Sequence, residues 1–106
     1  MRSYLLITDG ESGQKDRYVF DKKKNYAGRL VKDIRLYGVQ YFLYNKKKES
    51  IVQMGNISQI ECDGEEERYA ILFEDQEDYE SSLDIGLKDN YYIMPLTKED
   101  LKKIGC

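Results

Sequence analysis

The chain has 106 residues, of which 41% are hydrophobic, 35% charged and 12% aromatic, with a net charge of −3 and no histidine. This length suits one domain with one core, and the apolar share can fill that core, which excludes a disordered chain. No apolar run approaches the ~20 residues of a membrane span, and Tyr4-Leu5-Leu6-Ile7 is too short for a signal-peptide core. A single cytoplasmic domain over residues 1–106, with no membrane partner, is expected.

Charge is unevenly spread. Residues 1–58 hold 12 Lys/Arg against 6 Asp/Glu, a balance of +6, whereas residues 59–106 hold 5 against 14, a balance of −9. Such a split fits a nucleic-acid-facing half, an acidic binding face, or ordinary solvated surfaces.

In chain order, Arg2 to Thr8 reads as a strand buried on both faces through Leu5, Leu6 and Ile7. Asp9-Gly10 ends it, and Glu11 to Asp16 is a polar loop. Arg17 to Phe20 is a short second strand, followed by a charged connector, Asp21 to Asn25. A helix is expected over about 26–36. Ala27, Leu30, Val31 and Ile34 form its apolar stripe, with Arg29, Lys32, Asp33 and Arg35 outside it. Asn25 can cap its start, and Gly38 follows its end. Gly28 within the helix suggests a close approach to the sheet.

The stretch Tyr37 to Cys62 reads as a long bent hairpin. Val39, Tyr41 and Leu43 alternate with Gln40, Phe42 and Tyr44, and Asn45 to Ser50 form a lysine-rich tip. Gly55-Asn56 then marks a bulge or bend in the returning strand. Cys62 within that strand is expected to be a small buried thiol.

After the Asp63-Gly64 turn, Arg68 to Phe73 is a strand, Glu74 to Glu80 an acidic loop, Leu83 to Lys88 a half-buried strand and Asn90 to Met94 a last short strand. Pro95 stops it. Thr97 to Asp100 has the pattern of a capping box for a short closing helix with Leu101 and Ile104 facing inward. The expected architecture is α+β: a small twisted or closed β-barrel of about six strands, one short helix after the second strand and a short C-terminal helix.

The chemistry is restricted. Without histidine, the usual general base and the Ser-His and Cys-His nucleophile pairs are missing. Two cysteines and no histidine leave no zinc-type constellation, and the carboxylates do not match a calcium loop. A non-catalytic protein with no metal and no cofactor is expected. Ten tyrosines stand out as wall and rim residues, some of which could stack a planar ligand. The runs Lys22-Lys23-Lys24 and Lys46-Lys47-Lys48 could hold phosphates if the fold brings them to one face with Arg29.

The order of these features resembles the PUA-like superfamily, in particular the EVE-like reader modules attached to HNH restriction endonucleases. The likeness lies in YLLIT before a polar loop, YVF before a short helix, YGVQYFLYN followed by QMGNISQIE, and the closing stretches RYAILFEDQEDYESSLDI and YYIMPLTKEDLKKIG. It implies a flipped or modified base held in an aromatic-lined pocket at the barrel mouth. The matching positions are Thr8, Asp9, Ser12, Tyr18, Phe20, Tyr44 and Asn45. Tyr or Phe would stack on the base, and Asp9, Asn45 or Ser12 would read its edge. Lys22, Lys23, Lys24, Arg29, Lys46, Lys47 and Lys48 would hold the backbone, with DNA favoured over RNA. The chain lacks the tryptophan that such readers often use.

Two other readings stand beside it. The acidic arc from Glu61 to Glu80 could block a basic nuclease or toxin, which makes the chain a small inhibitor or immunity protein with a basic protein partner. An exposed strand edge could instead serve assembly.

Overall fold

The computed structural model describes residues 2–8, 17–23, 26–63, 67–82 and 93–104. The chain runs β1 (Arg2–Thr8), β2 (Arg17–Asp21), α1 (Ala27–Leu36), β3 (Val39–Asn45), β4 (Ser50–Asp63), β5 (Arg68–Ser82), β6 (Ile93–Pro95) and α2 (Lys98–Ile104). The strands form one six-stranded sheet in the order β2-β5-β4-β3-β1-β6. β1 and β3 are parallel, joined by the crossover through α1, and the other neighbours are antiparallel.

Period-two alternation sends side chains to both faces, and a helix covers each. On one face Tyr4, Leu6, Val39, Tyr41, Ile71 and Phe73 pack under Ala27, Leu30 and Val31 of α1. On the other, Leu5, Ile7, Phe42, Tyr44 and Ile51 pack under Ile104 of α2. Strand β1 is thus buried on both sides, as its continuous apolar run requires.

The sheet is a curled half-barrel rather than the closed barrel expected. Its terminal strands, β2 and β6, lie at opposite ends of the order and do not pair with each other. The curl comes from bulges. Asp75 and Gln76 of β5 together oppose Gly55, and Tyr79 and Glu80 together oppose Val52. Asp75 takes a left-handed backbone, with φ 55°. A β-carbon on Gly55 would lie 2.8 Å from the Glu74 carbonyl oxygen and 3.0 Å from a Tyr41 ring carbon. Only glycine lets the bulged strand and that ring close in. The Tyr41 ring stacks on Phe73 of β5 with centroids 3.9 Å apart.

Those bulges also correct the acidic loop expected at Glu74 to Glu80. The segment continues β5, with its carboxylates turned to solvent. Gly28 is corrected too, since nothing lies within 4 Å of a β-carbon built there. Cys62 is exposed rather than buried.

Helix α1 starts without a side-chain cap. Its N-cap is Tyr26 in a left-handed conformation, and Asn25 lies outside the described residues. Gly38, with φ 75°, ends it as expected. The capping box of α2 forms reciprocally: Asp100 N–H donates to Thr97 Oγ1 at 3.2 Å, and Thr97 N–H to Asp100 Oδ2 at 3.0 Å. Tyr79 and Ser81 hydroxyls both donate to the Ile104 carbonyl at 2.9 Å, tying α2 to β5. The expected strand at Leu83 to Lys88 lies outside the described residues. Among those described, no helix is long and apolar enough to cross a membrane.

Candidate functional site

Helix α1 spends one side on the core, so the three cations Arg29, Lys32 and Arg35 stand on its outer side as a basic ridge. A groove of about 380 Å³ runs along one flank of this ridge, lined by Gly28, Val31, Lys32, Arg35, Leu36 and Tyr69. Tyr69 comes from β5, on the same face as Ile71 and Phe73, and its ring is half-buried against Phe20 at 5.7 Å between centroids. The Lys22 ammonium lies 5.1 Å from the Tyr69 ring centroid. That ammonium's pKa is raised, first by its hydrogen bond with Cys62. Leu36 is 59% exposed at the end of the groove. An aromatic wall, an open aliphatic edge and three cations suit a planar, anionic ligand.

The opposite flank holds a second hollow, of about 340 Å³, between α1, β1 and the β6–α2 connection. The Tyr4 hydroxyl at its floor donates to Asp33 Oδ2, and Arg29 Nε lies 4.0 Å from the same oxygen. Asp33 lies outside the apolar stripe expected of this helix, yet it is only 8% exposed. It borders the apolar stripe three residues after Leu30, where a partner on the sheet can hold it. The tyrosine at position 4 of the opening strand was the available signal.

Of the described residues expected to form a base pocket, Thr8 pairs with Asn45 where β1 and β3 end side by side, next to Tyr44, but the aromatic rings are divided between the two faces of the sheet. Phe20 and Tyr18 belong to the face under α1, and Tyr44 to the face under α2. Phe20 is buried, and the Tyr18 hydroxyl donates to the Ile7 carbonyl at 2.8 Å. Asn45 caps its own turn: its Oδ1 accepts from Lys47 N–H at 2.9 Å and from Lys48 N–H at 3.2 Å. Thr8 accepts Lys46 N–H through its carbonyl at 2.9 Å. Asp9, Ser12 and Lys24 lie outside the described residues.

The two lysine runs are also far apart. Lys46, Lys47 and Lys48 follow Asn45, opposite Ser50 at one end of β4, whereas Lys22 and Lys23 follow Asp21, two strands from Asp63 at the other end. The 13 steps between those ends span about 40 Å of extended strand, comparable with the 37 Å longest extent of the molecule. Lys23 is turned toward Glu67, at 3.7 Å. Lys22 instead approaches Tyr69, which lines a groove with Lys32 and Arg35 of α1. The spacing 29, 32, 35 carried the signal of the α1 cations in the sequence.

No family model matches the chain, and no curated protein does. Among solved structures it is similar to the NMR structure of Rpa0253 from Rhodopseudomonas palustris, a structural genomics target. The TM-score is 0.63 with 14% sequence identity, covering 98% of this chain and 90% of that one. The likeness is one of fold.

Proposed function

We propose that the chain is a non-catalytic nucleic-acid-binding module that grips phosphates with Lys32 and Arg35 of α1. A base stacks in the groove against Tyr69. The observation that carries this reading is the Tyr69 ring, approached by the Lys22 ammonium at 5.1 Å and sharing its groove with Lys32 and Arg35. Stacking on a ring of this kind contributes ~1–3 kcal/mol per base, whatever the base. The PUA-like likeness of the sequence points to the same ligand class and nominates Lys22, but not Tyr69, Lys32 or Arg35. The half-barrel leaves β2 and β6 unpaired with each other, so the groove beside α1, not a barrel mouth, is the proposed contact surface.

Fluorescence anisotropy with a labelled single-stranded oligonucleotide tests this. Affinity should fall at least ~10-fold as salt rises from about 50 to 200 mM, because bound phosphates release counterions. The double substitution Lys32→Gln, Arg35→Gln should weaken binding ~10-fold or more, and replacing Lys46 to Lys48 should leave it unchanged. Binding indifferent to salt and to the α1 cations would reject the reading.

A second reading, a small acidic inhibitor, is favoured by the five exposed carboxylates Glu74, Asp75, Glu77, Asp78 and Glu80 on the half of β5 that β2 does not pair. The same charges also guard a strand edge against aggregation. Capture of a basic nuclease that is lost on replacing Glu77 and Asp78 would favour this reading.

A further inference from the structure

We infer that the hollow between α1, β1 and the β6–α2 connection is a binding site for a small zwitterion of the α-amino acid type. This goes beyond the nucleic-acid reading and uses the other flank of α1. The hollow is about 340 Å³, within the size range of small-molecule sites, and its polar lining is Arg2, Tyr4, Arg29, Asp33, Thr97 and Lys98.

The arrangement of charge selects the ligand. A carboxylate, Asp33, stands at the floor, and Arg29 and Lys98 line the same hollow, while the Arg2 guanidinium at its edge lies 4.9 Å over the Tyr37 ring. Arg29 Nε and Asp33 Oδ2 are 4.0 Å apart, so the wall presents a positive and a negative charge side by side. A simple anion entering this space would meet the Asp33 carboxylate, and a simple cation would meet Arg29 and Lys98. A ligand carrying both charges side by side complements the wall at each point. Its ammonium donates to Asp33, and its carboxylate faces the arginine and lysine side chains.

Asp33 has the capacity for this. Its Oδ2 accepts the Tyr4 hydroxyl, and a carboxylate has about four lone-pair directions, so acceptor sites remain. Little water competes there, since Asp33 is 8% and Tyr4 1% exposed. Charge-assisted hydrogen bonds gain strength in such surroundings. The other nearby carboxylate, Asp100, is engaged with the Thr97 N–H in the α2 cap.

Amide NMR titration of the full chain tests the site. L-alanine, L-glutamate, L-lysine and L-phenylalanine are compared with propionate and ethylamine, which each carry one of alanine's two charges, at equal millimolar concentration. At least one of the amino acids should shift the amides of Tyr4, Asp33, Thr97 and Lys98 saturably, and the single-charge compounds should bind at least tenfold more weakly. Asp33→Asn keeps an oxygen for the Tyr4 hydroxyl but removes the charge, and it should cost at least tenfold in affinity. Lys98→Gln lies on the surface, tests the carboxylate end without threatening the fold, and should also weaken binding. Propionate binding as well as the best amino acid would reduce the site to a plain anion hollow and overturn the inference. So would the absence of saturable shifts with all four amino acids, or unchanged affinity in Lys98→Gln. None of these outcomes bears on the oligonucleotide experiment, which reads salt and the substitutions at Lys32 and Arg35.

Discussion

The Tyr4 hydroxyl donates a 2.5 Å hydrogen bond to Asp33 Oδ2, joining the interior of the sheet to the middle of α1. Both partners are buried, so neither can exchange the other for water without cost. Asp33→Ala should destabilise the fold by about 1–3 kcal/mol, because it leaves a buried hydroxyl without its acceptor. Asp33→Asn should cost less. Urea denaturation of the two variants, compared at equal slope, checks this order.

Alkali should unfold the protein earlier than its exposed tyrosines would suggest. Burial, then the Asp33 hydrogen bond, pushes the Tyr4 phenol well above its usual range. Burial pushes Tyr41 up to about 12, partly offset by the hydrogen bond that Gln53 donates to its oxygen. The folded state therefore keeps protons that the unfolded chain loses above about pH 10. Stability from these groups is intact below that pH and falls as pH rises through the folded values. Each pH unit in this window costs roughly 1.4 kcal/mol for each tyrosine so held. Denaturant midpoints between about pH 9 and 12 should decline, and Tyr41→Phe should flatten the decline.

The two glycines with side-chain-sized consequences should respond oppositely to alanine. At Gly55 the added carbon meets the Glu74 carbonyl at 2.8 Å and the Asp75 carbonyl at 3.1 Å, both backbone atoms of the bulge. Gly55→Ala should lower stability by about 1–3 kcal/mol. At Gly28 the added carbon meets nothing within 4 Å, inside a helix. Gly28→Ala should raise stability by about 0.5–1 kcal/mol. Thermal melts of the pair suffice.

Cys62 should react with a thiol reagent under native conditions, since it is exposed near the end of β4. Peptide mapping after brief alkylation should find it modified. Protection until the protein is unfolded would contradict the placement of this strand.

Most elements were legible because their signals are local. The β3–β4 hairpin, the apolar run of β1, the capping box of α2 and Gly38 after α1 all follow from period, composition or turn chemistry. What was not legible depended on partners distant in sequence. Asp33 is buried because of Tyr4, 29 residues earlier. Glu74 to Glu80 remains a strand because Gly55 accommodates the bulge of its neighbour, which no acidic run announces. The placement of the candidate site residues also depended on distant partners. Tyr18 and Tyr44 lie on opposite faces once strand order is known, and the length of β4 separates the two lysine runs. The cations of α1 were visible at helical spacing, but their meeting with Tyr69 required the pairing of β5 with β2.

Strand β1 lies between β3 and β6. Among the described residues, one of its two edges is closed by Ile93 to Pro95 alone. A nascent chain emerging from the ribosome would carry this apolar strand half-paired until β6 has been made. Completion of this sheet thus waits on β6, and products shortened before it would present a sticky, open flank to other chains.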